Sequence, residues 1–293
     1  MGRGGDVRYR LRHTTLYRYA EPVDLAAHLL HLTPRALAQQ AVLAARITAD
    51  PAPARAVTRQ DHFGNTVGWL FLDATHRRFE LVLEAEVAVA FPPPPEVSAT
   101  LAWERVAAAA PGAEAAEFLF PSPLLPADPA AAAFAAASFP PGRPVLAGLL
   151  DLMGRIRRGF AFRPGATTVA TPVARVMAQR AGVCQDFAHV MIAGLRALGL
   201  PARYVSGYLC TRPPPGQAAR RGADQSHAWV GAWLGPGQGW VDLDPTNDLV
   251  VQEEHVVLGW GRDFADVSPV RGVILGGGAH DVTAGVDLEP VAG

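Results

Sequence analysis

The chain has 293 residues, 49% of them hydrophobic, with 26 lysines and arginines against 27 aspartates and glutamates and a net charge of −1. That balance excludes the basic footprint of a nucleic-acid surface, and the apolar content supports a sizeable core, more in keeping with two domains than one. Two cysteines, Cys184 and Cys210, are too few for a disulfide framework and read as reduced thiols of a cytoplasmic protein. The opening MGRGGDVRYR lacks the apolar stretch of a signal peptide, and no apolar run approaches the roughly 20 residues of a membrane span.

From Val7 to about Phe91 the sequence reads as β structure. VRYRLRHTTLYRY, HLLHLTPR, AVLAARITA, NTVGWLFL and RRFELVLEAEVAVAF are the candidate strands. Arg8, Arg10, Arg12 and Arg18 share one parity and so belong on the wet face of a first strand. DHFGN, residues 61–65, is the strongest hairpin turn, because Gly64 and Asn65 both tolerate positive φ. His13, His28, His31 and His62 are scattered and read as strand or turn residues. Residues 1–91 are therefore expected to form an antiparallel, sandwich-like β domain.

FPPPPEVS is a stiff polyproline segment, and residues 92–142 read as a Pro/Ala-rich connection with short helices. A second, α+β domain is expected over 143–293. PVLAGLLDLMGRIRRGF opens it as an amphipathic helix. TPVARVMAQRAG follows, with Thr171 as N-cap, Pro172 at the first helical position and Gly182 past the end. In AGVCQDFAHVMIAGLRALGL, Phe187, Met191, Leu195 and Leu198 recur at helical spacing, which places Cys184 in or just before the first turn. Unpaired N–H groups and the positive end of the helix dipole there favour thiolate over thiol. ARYVSGYLC is a strand, TRPPPGQAARRGADQ a polar loop expected to border a cleft, and SHAWVGAWL and GWVDLDPT a hairpin across GPGQ.

With Leu234 opposite Gly239, His227 faces Thr246 and Trp229 faces Asp244, so His227, Trp229, Asp242 and Asp244 project from one side. Asp244 is then the carboxylate diagonal to His227, and Asp242 lies farther away. An aspartate so placed can hold an imidazole by one nitrogen and leave the other to a thiol. An ordinary hairpin with water-facing acids fits the same letters. Asp186 and His189 flank the cysteine, and an acid one turn into a helix is usually a cap or a salt-bridge partner for something like Arg203.

Helix-start Cys184, strand His227 and next-strand Asp244, in that order, resemble the transglutaminase-like superfamily of papain-like fold. The likeness rests on Gly182-Val183-Cys184-Gln185-Asp186-Phe187-Ala188, His227-Ala228-Trp229, Gly239-Trp240 and Asp244-Pro245-Thr246-Asn247. Residues 14–35, 61–72 and 261–290 look like the bacterial transglutaminase-like proteins, which carry a β domain ahead of the core. The resemblance implies Cys184 as nucleophile, His227 as base and then acid, and Asp244 as the residue that orients the imidazole. It implies a thiol enzyme acting on a peptide or protein amide through a thioester, with hydrolysis ahead of amine transfer, and needs no cofactor. A non-catalytic module is the other class, and a zinc site from Cys184, His189, Cys210 and His227 lacks close ligand pairs. No metal, nucleic-acid or membrane partner is expected; the sequence leaves the oligomeric state and the second oxyanion donor open.

Overall fold

The computed structural model describes residues 7–210 and 225–291; the polar loop after Cys210 lies outside them. In the first strand, β1 (Val7–Leu30), Tyr9, Leu11, His13 and Thr15 are buried while Arg8, Arg10, Arg12 and Arg18 are exposed, as parity requires. Two strands expected from sequence are here one. Pro22 has no N–H to give a ladder, and the register shifts between Arg18 and Val23. The chain bends at that irregularity without breaking. Next come β2 (Gln40–Asp50), β3 (Arg55–Gln60), β4 (Thr66–Leu72) and β5 (His76–Val89), and the antiparallel order is β2-β5-β1-β4-β3. β3 escaped sequence reading because Val57 alone is half-buried in it, leaving no alternation to see. Gly64, at φ 75°, and the Asp61 carboxylate, which accepts from Phe63 and Asn65 N–H, shape the DHFGN turn between β3 and β4.

Residues 92–142 are packed against the rest of the chain. They carry helices α1 (Trp103–Ala108), α2 (Ala113–Ala116) and α3 (Pro129–Ala136), whose Val106, Ala115, Ala131 and Ala135 belong to the main core. The alanines of α3 have a steric role. A Cβ added at Gly194 would lie 2.6 Å from Ala135 Cβ, so small residues on both sides let two helices touch backbone to backbone. The second unit continues with α4 (Val145–Gly159), a short parallel pair β6 (Ala161–Phe162) and β7 (Ala181–Gly182), α5 (Val173–Gln179) and α6 (Cys184–Ala197). α5 is capped one residue later than expected, by Pro172, and Arg180 takes the left-handed position assigned to glycine, at φ 51°.

β8 (Ala202–Leu209), β9 (Gln225–Trp233), β10 (Trp240–Asp244), β11 (Leu249–Val250) and β12 (His255–Gly261) form a second antiparallel sheet in the order β11-β10-β9-β8-β12. Ala188, Met191 and Leu195 of α6 share a core with Ala228, Val230 and Ala232 of β9, which fixes the helix on one face of this sheet. The last strands, β13 (Val270–Gly276) and β14 (His280–Val291), were grouped by sequence with residues 143–293. They hydrogen-bond to β1 instead: β14 pairs Arg8–Tyr19 and β13 pairs Val23–Leu30. Among the described residues no helix is long and apolar enough to cross a membrane.

The two sheets are joined along the outer edge of β12. An edge strand carries N–H and C=O groups without a ladder partner. Here the Gln40 amide accepts from Val257 N–H at 2.7 Å and donates to Val257 C=O at 2.8 Å, and Asn65 does the same for Trp260 at 3.0 and 2.8 Å. Inside, Tyr9, Leu11, Val87 and Leu288 pack with Tyr208, Val256 and Leu258, and His13 Nδ1 lies 2.6 Å from the Tyr208 hydroxyl.

Burial holds His13, His28 and His189 down to about 4, with like-charge repulsion from His76 adding at His28, and Asp263 opposing and Arg196 adding at His189. Each group is neutral in the folded protein and protonates more readily unfolded. Their stabilisation is complete above the unfolded value of about 6.5 and is lost as pH falls toward 4. Urea midpoints measured at steps from pH 7 to pH 4 should therefore fall through that window, and His13→Gln should make the fall shallower. An unchanged slope in the variant would remove His13 from the account.

Candidate functional site

Cys184 is the first helical residue of α6 and Val183, extended at φ −122°, is its N-cap. Val183 cannot cap with its own side chain, so the local solution comes from Asp186. Its Oδ2 accepts from Val183 N–H at 2.8 Å and from the Thr167 hydroxyl at 2.6 Å. Asp186 is only 2% exposed, and burial pushes its carboxyl up while those two hydrogen bonds pull it down. Of the two roles sequence offered for Asp186, capping is the one present. Arg203 pairs elsewhere: its guanidinium lies between Trp240 and Trp260, 4.3 and 3.8 Å from the ring centres, with Asp242 at 3.7 Å.

The hairpin has the expected register. Leu234 N–H donates to Gly239 C=O at 2.8 Å, Trp233 pairs Trp240, and Asp242 pairs Gly231, which carries His227 opposite Thr246. His227, Trp229, Asp242 and Asp244 share a face, and the side chains sort into two pairs. Trp229 Nε1–H donates to Asp242 Oδ2 at 3.1 Å, and His227 Nε2 lies 2.7 Å from Asp244 Oδ2. Gly207 makes this packing possible, since a Cβ there would sit 2.3 Å from the Trp229 ring that crosses it.

Asp244 is fully buried and surrounded by donors. Oδ1 accepts the backbone N–H of Thr246 at 2.9 Å and of Asn247 at 3.3 Å. Oδ2 accepts from Asn247 Nδ2 at 2.6 Å as well as from His227, and His255 Nε2 stands 3.4 Å away. Burial by itself would raise the carboxyl, but the hydrogen bonds from His227, His255 and Asn247 and the charge of His227 hold it well below the carboxylate range. An ionised carboxylate only accepts, so the proton on His227 Nε2 is fixed and Nδ1 is left for another partner. The Cys184 side chain interacts with the same imidazole and helps to raise it. Burial depresses His227, and the bonds to Asp244 and Cys184 overcome it, raising the imidazole to about 10.

The structure thus brings Cys184, His227 and Asp244 together, with the imidazole between the thiol and the carboxylate. His189 and Cys210 stand apart: His189 accepts from Phe264 N–H at 3.3 Å and packs on Tyr204, and Cys210 Sγ lies 3.8 Å from Leu288 C=O. His255, not singled out in sequence, joins the group from β12. With His227 and Asp244 it forms a cluster whose ligand-type atoms lie within 4.8 Å of one another. Its only sequence signal would have been a histidine eleven residues past Asp244, on a strand whose place beside β8 is set by long-range pairing.

The start of α6 hangs on Asp186. Asp186→Ala should leave Val183 N–H and the Thr167 hydroxyl without their acceptor and cost about 1–3 kcal/mol, read as a fall in urea midpoint, whereas Thr167→Val should cost less. Equal stability of Asp186→Ala and the parent would show that water replaces the cap.

The family described as the bacterial transglutaminase-like N-terminal region matches residues 9–88, and the transglutaminase-like superfamily matches residues 139–245. Mycobacterium tuberculosis protein Rv2569c is 42% identical over 298 residues, covering 99% of this chain and 95% of that one. A Pseudomonas aeruginosa protein-glutamine gamma-glutamyltransferase is 31% identical over 135 residues, 43% of this chain and 20% of that protein. In fold, a crystal structure from Cytophaga hutchinsonii, solved as a candidate cysteine protease, superposes with a TM-score of 0.77 at 21% identity, covering 99% of this chain and 92% of its own. The chain belongs to the transglutaminase-like superfamily, in the group that carries the bacterial transglutaminase-like N-terminal region.

Proposed function

We propose that the protein is a thiol enzyme that cleaves an amide of a peptide or protein through a Cys184 thioester, with His227 and Asp244 completing the machinery. The observation that carries this reading is the single imidazole bonded on one nitrogen to a buried carboxylate at 2.7 Å and on the other side to a helix-start thiol. An imidazole raised to about 10 is protonated at neutral pH and supports the thiolate–imidazolium pair that cysteine enzymes use.

In the first half-reaction the Cys184 sulfur attacks the amide carbonyl carbon, and a tetrahedral oxyanion forms beside the first backbone N–H groups of α6. The C–N bond then breaks as His227 gives its Nδ1 proton to the leaving nitrogen, leaving the acyl group on sulfur. In the second, neutral His227 takes a proton from water, the hydroxide adds to the thioester, and the carboxylic acid leaves as Cys184 regains its electron pair. Asp244 never takes the proton; it holds Nε2–H and stabilises the imidazolium. Cys184 is half-exposed, which lets water reach the thioester. A second reading, amine in place of water, is favoured by the Pseudomonas transferase relative, and ammonia release with and without incorporation of a labelled primary amine separates the two.

Asp244→Asn should lower kcat by roughly 10³ to 10⁴, by analogy with the serine triad, because the amide presents the wrong group to Nε2. Asp242→Asn, which touches Trp229 and Arg203 instead, should cost far less, and Cys184→Ala is the inactive reference. All three are to be compared at matched thermal stability on an amide substrate from a peptide-library screen; a crippled Asp242→Asn beside a near-normal Asp244→Asn would redraw the site. On the alkaline side, the protonated His227 is required for leaving-group departure, so kcat/KM should hold and then fall as pH passes about 10.

A further inference from the structure

His255 is 1% exposed, yet its ring makes one polar contact, from Nε2 to Asp244 Oδ2 at 3.4 Å. Among the described residues its buried Nδ1 has no hydrogen-bond partner. The ring is held edge-on against Trp229, centroids 5.1 Å apart, and 6.1 Å from His227. Its backbone is pinned at the head of β12, where His255 pairs Leu209 and its N–H donates to Gln252 C=O. Asp244 can only accept, so the contact requires Nε2–H on His255.

The remaining donors to Asp244 come from its own turn, Thr246 and Asn247, and from His227 itself. Among the described residues His255 is the one side chain that reaches this carboxylate from the opposite edge of the sheet, two strands beyond β9. We infer that His255 is a positioning residue of this site, whose Nε2–H restrains the Asp244 carboxylate so that Asp244 keeps His227 in the tautomer with Nδ1 turned to Cys184. The inference rests on the thiol-enzyme reading above. No proton passes through His255: during acyl transfer the proton moves between His227 Nδ1 and the leaving nitrogen, while His227 Nε2–H and His255 Nε2–H both stay on Asp244. The ionisable groups it faces are Asp244 and His227 and, through His227, Cys184.

Alkylation of Cys184 by iodoacetamide reads the thiolate–imidazolium pair without any substrate, and its pH profile from 5 to 11 is the test, on the full chain, with Cys210 as internal control. Wild type should label Cys184 far faster than Cys210 across a broad plateau. His255→Phe, which keeps the ring and removes the donor, should slow Cys184 at pH 8 by about tenfold and narrow the plateau from both ends. His255→Gln, which restores an N–H, should recover most of the rate, and ¹⁵N spectra of the His227 ring should show the Nε2–H tautomer depleted in the Phe variant only. His255→Phe within twofold of wild type, with the same pH limits and the same His227 tautomer, would overturn the inference. If the Phe variant is unfolded, the Gln variant decides on the same measurements, since loss of rate and of tautomer in a folded His255→Gln would also overturn the claim that a donor is what matters. Equal labelling of Cys184 and Cys210 in wild type would sink the thiol-enzyme reading itself, a distinct result from any difference among the His255 variants.

Discussion

A negative charge buried to zero exposure is the constraint on which the site depends. Asp244 can stay ionised only because five donors meet its two oxygens, and they come from three structural commitments. The Asp-Pro-Thr-Asn turn supplies the backbone and Asn247 bonds, the β9–β10 register supplies His227, and β12 supplies His255. Loss of any one would leave an acceptor in a dry place, where water cannot substitute. The carboxylate therefore locks the hairpin turn and the far edge of the sheet together, and the imidazole inherits its orientation from that lock.

Much of this was legible in the letters. The alternation of SHAWVGAWL and GWVDLDPT, with GPGQ as the turn, predicts the pairing of Asp242 with Gly231 and puts Asp244 nearer His227 than Asp242, which is where the coordinates have them. Helical spacing likewise puts Cys184 at the start of α6. What the letters hid is non-local. Nothing in VRYRLRHTTLYRYAEPVDLAAHLL shows that one strand runs through Pro22, and nothing in the C-terminal segment shows that it pairs with residues 8–30. His255 was invisible for the same reason: its partner is chosen by the β8–β12 pairing, not by its neighbours in sequence. The alanines of residues 129–136 carry no apolar periodicity to read, and their role is the helix contact at Gly194.

The N-terminal sheet has a structural duty toward the second one. Gln40 and Asn65 satisfy the open edge of β12 with side-chain amides, each making the two bonds a neighbouring strand would make. β12 begins at His255, so the edge that these amides close is the same strand that delivers the second imidazole to Asp244. Arg35, stacked 3.6 Å over Trp260 and bonded to Asn65, ties this corner further. The first sheet thus steadies the site without contributing a group to it.

The pairing of β14 with the first half of β1 has a consequence in time. β1 and β14, at opposite ends of the described residues, are neighbours in one sheet, with Arg8 opposite Val291. Closing so long a loop is slow compared with forming helices or the local hairpin. On a ribosome, residues 7–19 must therefore wait for residues 280–291 before one side of their ladder is filled. The helices and the hairpin of the second unit, made of nearby residues, have their pairing partners earlier. Maturation is thereby ordered, with the β9–β10 hairpin and α6 paired locally and the supporting sheet sealed only when β14 arrives.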